Sequence, residues 1–130
     1  MRVGMILVSA CLATTASAQR VEKVDRRAAE YDRLMTGRVA GEPRSCLPEG
    51  QTRQSTIYRG AIVYRVSRDT VYRNDMNGCS DLRFDTYPVF RIYSGQLCRG
   101  DIVQIVDRGN GMAAGGCTVG SFVPYTRVPR

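Results

Sequence analysis

Ala61-Ile62-Val63-Tyr64-Arg65-Val66 and Thr70-Val71-Tyr72-Arg73-Asn74 are separated only by Ser67-Arg68-Asp69. Both runs are rich in β-branched and aromatic residues, and three polar residues between such runs form a hairpin-length connection. Successive side chains of a strand point to opposite faces. Tyr64 and Tyr72 are therefore expected inward, with Arg65 and Arg73 towards solvent.

The β pattern extends on both sides of this hairpin. An additional short strand fits Thr56-Ile57-Tyr58. Val89 to Tyr93 reads as a strand entered through Pro88, and Ile102 to Val106 as another. The last strand runs roughly from Cys117 to Tyr125, with Pro124 suggesting a sheet edge. Asn77-Gly78 and Ser94-Gly95-Gln96 are turn signals. Five or six short strands with no helical period after Leu34 imply a mainly β fold, a small antiparallel barrel or sandwich.

Upstream of the β region, Val21, Val24, Ala28, Tyr31 and Leu34 recur at three- and four-residue steps, which predicts an amphipathic helix over 20–36 stopping at Gly37. Residues 37–45, with two Gly and one Pro, read as a linker. Residues 1–18 read as a signal peptide: Arg2, the apolar run Val3 to Ala13, then Ala16-Ser17-Ala18 before Gln19. Eleven apolar residues are too few to cross a bilayer, which takes about 20, so the mature chain has no expected transmembrane span. Val8-Ser9-Ala10-Cys11 also has the form of a lipoprotein processing site, which would leave a lipidated Cys11 and a membrane-anchored protein. The expected organisation is thus 1–18 signal peptide, 19–44 helix and linker, and 45–130 folded domain.

Cys46, Cys79, Cys98 and Cys117 remain after processing. An even count in a short exported chain reads as two disulfides. Their gaps of 33, 19 and 19 residues contain no closely spaced pair, which argues against a four-thiolate zinc site. The favoured pairs are Cys79 with Cys98, flanking the 89–93 strand, and Cys46 with Cys117, opening the first and last β regions. A core of about 85 residues is marginal without such staples.

The chain has no His, which excludes Ser-His and Cys-His nucleophiles and His-ligated metals. Acid/base work would fall to Asp69, Asp75, Asp81, Asp85, Asp101 and Asp107, each near a turn where Asp commonly serves the backbone. Gly109 to Gly116 follows a strand, but its glycine spacing and the lack of a following helix argue against a phosphate loop and for a flexible hairpin loop. No cofactor and no metal are expected.

Without Arg2, 18 Lys+Arg face 12 Asp+Glu, a charge of +6. Arg binds phosphate and carboxylate bidentately, and export argues against nucleic acid. Tyr58-Arg59, Tyr64-Arg65 and Tyr72-Arg73 repeat an aromatic-basic pair. Arg59, Arg65, Arg73 and Arg91 are therefore the candidate anion-binding face, set against the plainer reading of solvated arginines.

Gly37 to Pro43, Cys46, Cys79, Leu97-Cys98-Arg99-Gly100-Asp101 and Gly116-Cys117-Thr118-Val119-Gly120-Ser121-Phe122-Val123-Pro124-Tyr125 resemble a group of small exported four-cysteine proteins of Gram-negative bacteria, hypothetical proteins or domains of unknown function. The resemblance covers about residues 34 to 126 and implies a shared fold and export, with no activity. Gly100 to Val106 and Gly120 to Tyr125 also resemble bacterial SH3-like barrels, at the level of fold alone. The leading expectation is a non-catalytic binding or structural module of the cell envelope, whose partner is an anionic envelope component or another envelope protein. The alternatives are a secreted inhibitor of a hydrolase, carried on a protruding loop, and a small carboxylate-dependent hydrolase.

Overall fold

A computed structural model describes residues 15–58, 60–80, 82–83 and 85–129. The predicted signal segment, with Cys11, lies largely outside them, as do Arg59 and Asp81. The chain divides into two units between Leu34 and Met35. Helix α1 (Thr15–Met35) carries the predicted apolar stripe and runs through the expected Ala18–Gln19 junction. Gly37, at φ +72°, follows its end, a conformation glycine adopts without Cβ strain.

The second unit is mainly β. Strands β1 (Arg38–Ala40), β3 (Ser55–Tyr58), β4 (Ala61–Arg65), β5 (Thr70–Asp75) and β10 (Phe122–Arg127) form one antiparallel sheet in the order β1-β10-β5-β4-β3. Between β1 and β3, β2 (Cys46–Pro48) pairs with β7 (Gln96–Cys98). Strands β6 (Thr86–Phe90), β8 (Ile102–Asp107) and β9 (Ala113–Thr118) form a third sheet in the order β6-β8-β9.

Isolated bridges carry the backbone ladder between sheets. Arg44 and Phe122 exchange two hydrogen bonds of 2.8 and 2.9 Å, and Asn77 and Thr118 exchange two of 2.9 and 3.1 Å. The three sheets enclose one core, with Leu47, Ile62, Tyr64, Leu97, Val103, Ile105 and Phe122 almost wholly buried. The Tyr64 and Phe122 rings meet tilted at 5.9 Å.

The 61–74 hairpin forms as expected, with Tyr64 opposite Tyr72 and both side chains buried. The Ser67 hydroxyl accepts the Asp69 and Thr70 amides at 3.3 and 3.0 Å, closing the turn. The short strand around Thr56 is β3.

Several expectations need correction. Residues 38–40 are not linker: they add strand β1 to the large sheet, so the folded unit begins before residue 45. The last β region is two strands, because the chain breaks at Val119–Ser121. The segment after Gly109 is only partly loop, since Ala113 to Gly116 belong to β9. Pro124 lies in β10, an interior strand. Its carbonyl accepts Gly41 N–H at 2.8 Å, just past the end of β1. A residue's N–H and C=O point to the same side of a strand, so the bond that Pro124 lacks falls where β1 has already ended.

The disulfides are Cys46–Cys98 and Cys79–Cys117, not the favoured Cys79–Cys98 and Cys46–Cys117. Strand pairing explains both. Cys46 and Cys98 are register partners in β2·β7. Because β9 and β10 are separate strands, Cys117 belongs to β9, and the Asn77–Thr118 bridge brings the chain at Cys79 alongside it.

Candidate functional site

Of the four arginines singled out in sequence, Arg65 and Arg73 come together on one face of the large sheet. The register sets Arg65 opposite Val71 and Arg73 opposite Val63, so the two are diagonal neighbours rather than direct partners. Arg73 is tied to Asp75, with Nε and Nη2 donating to Oδ1 at 3.0 and 2.7 Å. Arg91 follows β6 of the three-stranded sheet. Arg59 lies outside the described residues. Dipeptide repetition thus fits Arg65 and Arg73 but carries no information on Arg91, which follows a strand of another sheet.

A different basic cluster forms at one end of the large sheet. Arg38 of β1 and Arg127 of β10 are direct register partners, and side chains of such partners start about 5 Å apart. Arg127 donates its backbone N–H to Asp69 O at 3.0 Å. The Arg38 guanidinium donates to Arg68 O at 3.0 Å and to Asp69 O at 3.3 Å. Burial, then Arg127, then Arg65 lower the Arg38 pKa, and the Asp69 carboxylate opposes them. Arg38, Arg65 and Arg127 thus gather near the Asp69 carboxylate, with Arg68 next to it in the turn; Arg65, Arg68 and Arg127 are exposed. Arg38 and Arg127 escaped the sequence reading because a three-residue strand carries no periodicity and its partner lies at the far end of the chain.

The second surface is the outer face of β6-β8-β9. Val89, Gln104 and Gly116 lie abreast across the three strands. With Arg91, Tyr93 and Ile102 they line an open groove of about 670 Å³. Tyr93 is 88% exposed and Ile102 77%.

The carboxylates available for catalysis are mostly engaged by their own loops or neighbours. Asp101 Oδ2 accepts Cys98 N–H at 2.7 Å. Asp107 Oδ1 accepts Gly109 and Asn110 N–H at 2.7 and 3.1 Å. Asp75 holds Arg73, and Asp85 lies 3.5 Å from Arg83. Among the described residues, no three His, Cys, Asp or Glu are grouped to hold a metal, and no helix is long and apolar enough to cross a membrane. No family model, curated protein or solved structure matches the chain.

Proposed function

We propose that the protein is an exported, non-catalytic binding module of the cell envelope that holds anionic envelope material at the Arg38–Arg65–Arg68–Arg127 corner. The observation that carries this reading is the register of β1 and β10, which sets Arg127 directly opposite Arg38. Like charges so placed are unfavourable, and Arg127 and Arg65 both act on Arg38 against the opposing charge of Asp69. A phosphate or carboxylate offsets the repulsion and accepts bidentate hydrogen bonds. Export is supported by the Arg2–Ala18 segment and by two disulfides in a short chain, which suit an oxidising compartment.

The contacts are exposed and therefore screened, over about 10 Å at 0.1 M salt, so binding is weak and salt-sensitive. Cosedimentation with phosphatidylglycerol and phosphatidylcholine vesicles tests it. The wild type is expected to pellet with the anionic vesicles alone and to be released by salt. Arg65→Glu/Arg127→Glu is expected to stay in the supernatant while keeping its far-UV dichroism.

A further inference from the structure

We propose that the groove on the outer face of β6-β8-β9 is a second, separate site that takes a neutral oligosaccharide. It uses none of the four arginines of the basic corner.

The groove is built by the alternation of its strands. Val103 and Ile105 of β8 turn into the core and are fully buried, which leaves Ile102 and Gln104 outward. Val89 and Gly116 flank Gln104 on the neighbouring strands. Gly116 contributes no side chain, so one flank of the row is bare backbone. Two inter-strand spacings make the row about 10 Å across, the width of one pyranose ring with its hydroxyls. The volume of about 670 Å³ lies within the range of small-molecule sites.

The chemistry of the lining selects the ligand class. Among the described residues, Val89, Tyr93 and Ile102 are three of the large apolar side chains left exposed, and all three line this groove. Together they give the groove a small apolar strip beside its polar groups. Tyr93 offers a flat, amphipathic ring at the rim. The polar groups are Arg91, Asp101 and Gln104: one cation, one anion, and one amide that both donates and accepts. The charged groups of the groove cancel, although the chain as a whole carries +7, so neither an anion nor a cation is selected. A neutral saccharide matches this lining. Its axial C–H face packs on tyrosine and aliphatic carbon, and its hydroxyl edges need donors and acceptors together.

The test is titration of the ¹⁵N-labelled chain with chitotriose, cellotriose and maltotriose, followed by amide shifts, in the wild type and two variants. Tyr93→Ala removes the rim ring. Gly116→Val fills the bare flank; its Cβ would meet only Val103 O, at an ordinary 3.5 Å, and an unchanged far-UV dichroism checks that the fold accepts the whole side chain. At least one of the three sugars is expected to give saturable shifts at Ile102, Gln104, Gly115 and Gly116. Each variant is expected to lose about tenfold or more in affinity, the scale of one good contact. Absence of saturable shifts with all three sugars overturns the proposal. So do shifts that both variants leave unchanged, or displacement of a bound sugar by an apolar or charged peptide that binds the groove more tightly.

Discussion

Asn74 and Gly120 hold each other through two hydrogen bonds: Asn74 Nδ2 donates to Gly120 O at 2.9 Å, and Gly120 N–H donates to Asn74 Oδ1 at 3.1 Å. Asn74 is fully buried. Its amide therefore replaces a backbone partner for the break that separates β9 from β10. That break assigns Cys117 to β9 and sends β10 back between β1 and β5, where Arg127 meets Arg38.

Asn74→Ala strips both bonds and leaves two backbone groups of the break without partners. The expected cost is about 2–4 kcal/mol, read as a lowered urea midpoint. A change within about 0.5 kcal/mol would show that water or an altered turn replaces the amide.

Gly120 is required for space, not for an unusual dihedral. A Cβ there would lie 2.0 Å from Asp75 O. Gly120→Ala is expected to destabilise by more than Asn74→Ala, since backbone must move to admit it. Equal or greater stability than wild type, by thermal melt, would contradict this close approach.

The disulfides follow from pairing and are expected to matter to a small core. They span 52 and 38 residues, and restricting the unfolded chain is worth about 4 kcal/mol for loops of that length. Non-reducing peptide mapping should recover Cys46 linked to Cys98 and Cys79 linked to Cys117. Cys46→Ser/Cys98→Ser should lose most of that stabilisation. A Cys46–Cys117 peptide from native protein would overturn the pairing.

Tyr64 is almost completely buried, and its hydroxyl finds no hydrogen-bond partner among the described residues. Burial pushes the phenol well above its usual value. A group whose folded pKa is raised contributes fully below its unfolded pKa, about 10 for tyrosine. That contribution is lost as pH rises above it, because only the unfolded state readily ionises. Tyr64→Phe is expected to match or exceed wild-type stability by about 1 kcal/mol at neutral pH. It should also flatten the fall in stability above about pH 10. An unchanged alkaline limb would remove Tyr64 as its source.

How much of this was legible depended on side-chain pattern. The 61–74 hairpin was readable because Tyr64 and Tyr72 alternate with Arg65 and Arg73 about a polar turn. The inward tyrosines followed from that alternation. β9 was not readable upstream of Cys117, because Ala113-Ala114-Gly115-Gly116 offers no side chains to alternate. β1 and β2 are three residues each, and their partners lie 48 or more positions away. Without β2·β7 and the Asn77–Thr118 bridge, no spacing argument could choose among three disulfide pairings. Arg38 and Arg127 were missed for the same reason: a dipeptide repeat reports local geometry, whereas the basic corner is made by pairing between the two ends of the folded unit.

Binding at that corner is separated from mere net charge by comparing two charge-matched variants on anionic vesicles. Arg65→Glu/Arg127→Glu and Arg53→Glu/Arg99→Glu each replace two exposed arginines and change the net charge equally, but only the first touches the Arg38 cluster. The account predicts that the first loses binding about tenfold or more, the scale of a charged contact or two, while the second stays within about twofold of wild type. Equal loss in both variants would contradict a built site and leave the arginines as solvated surface.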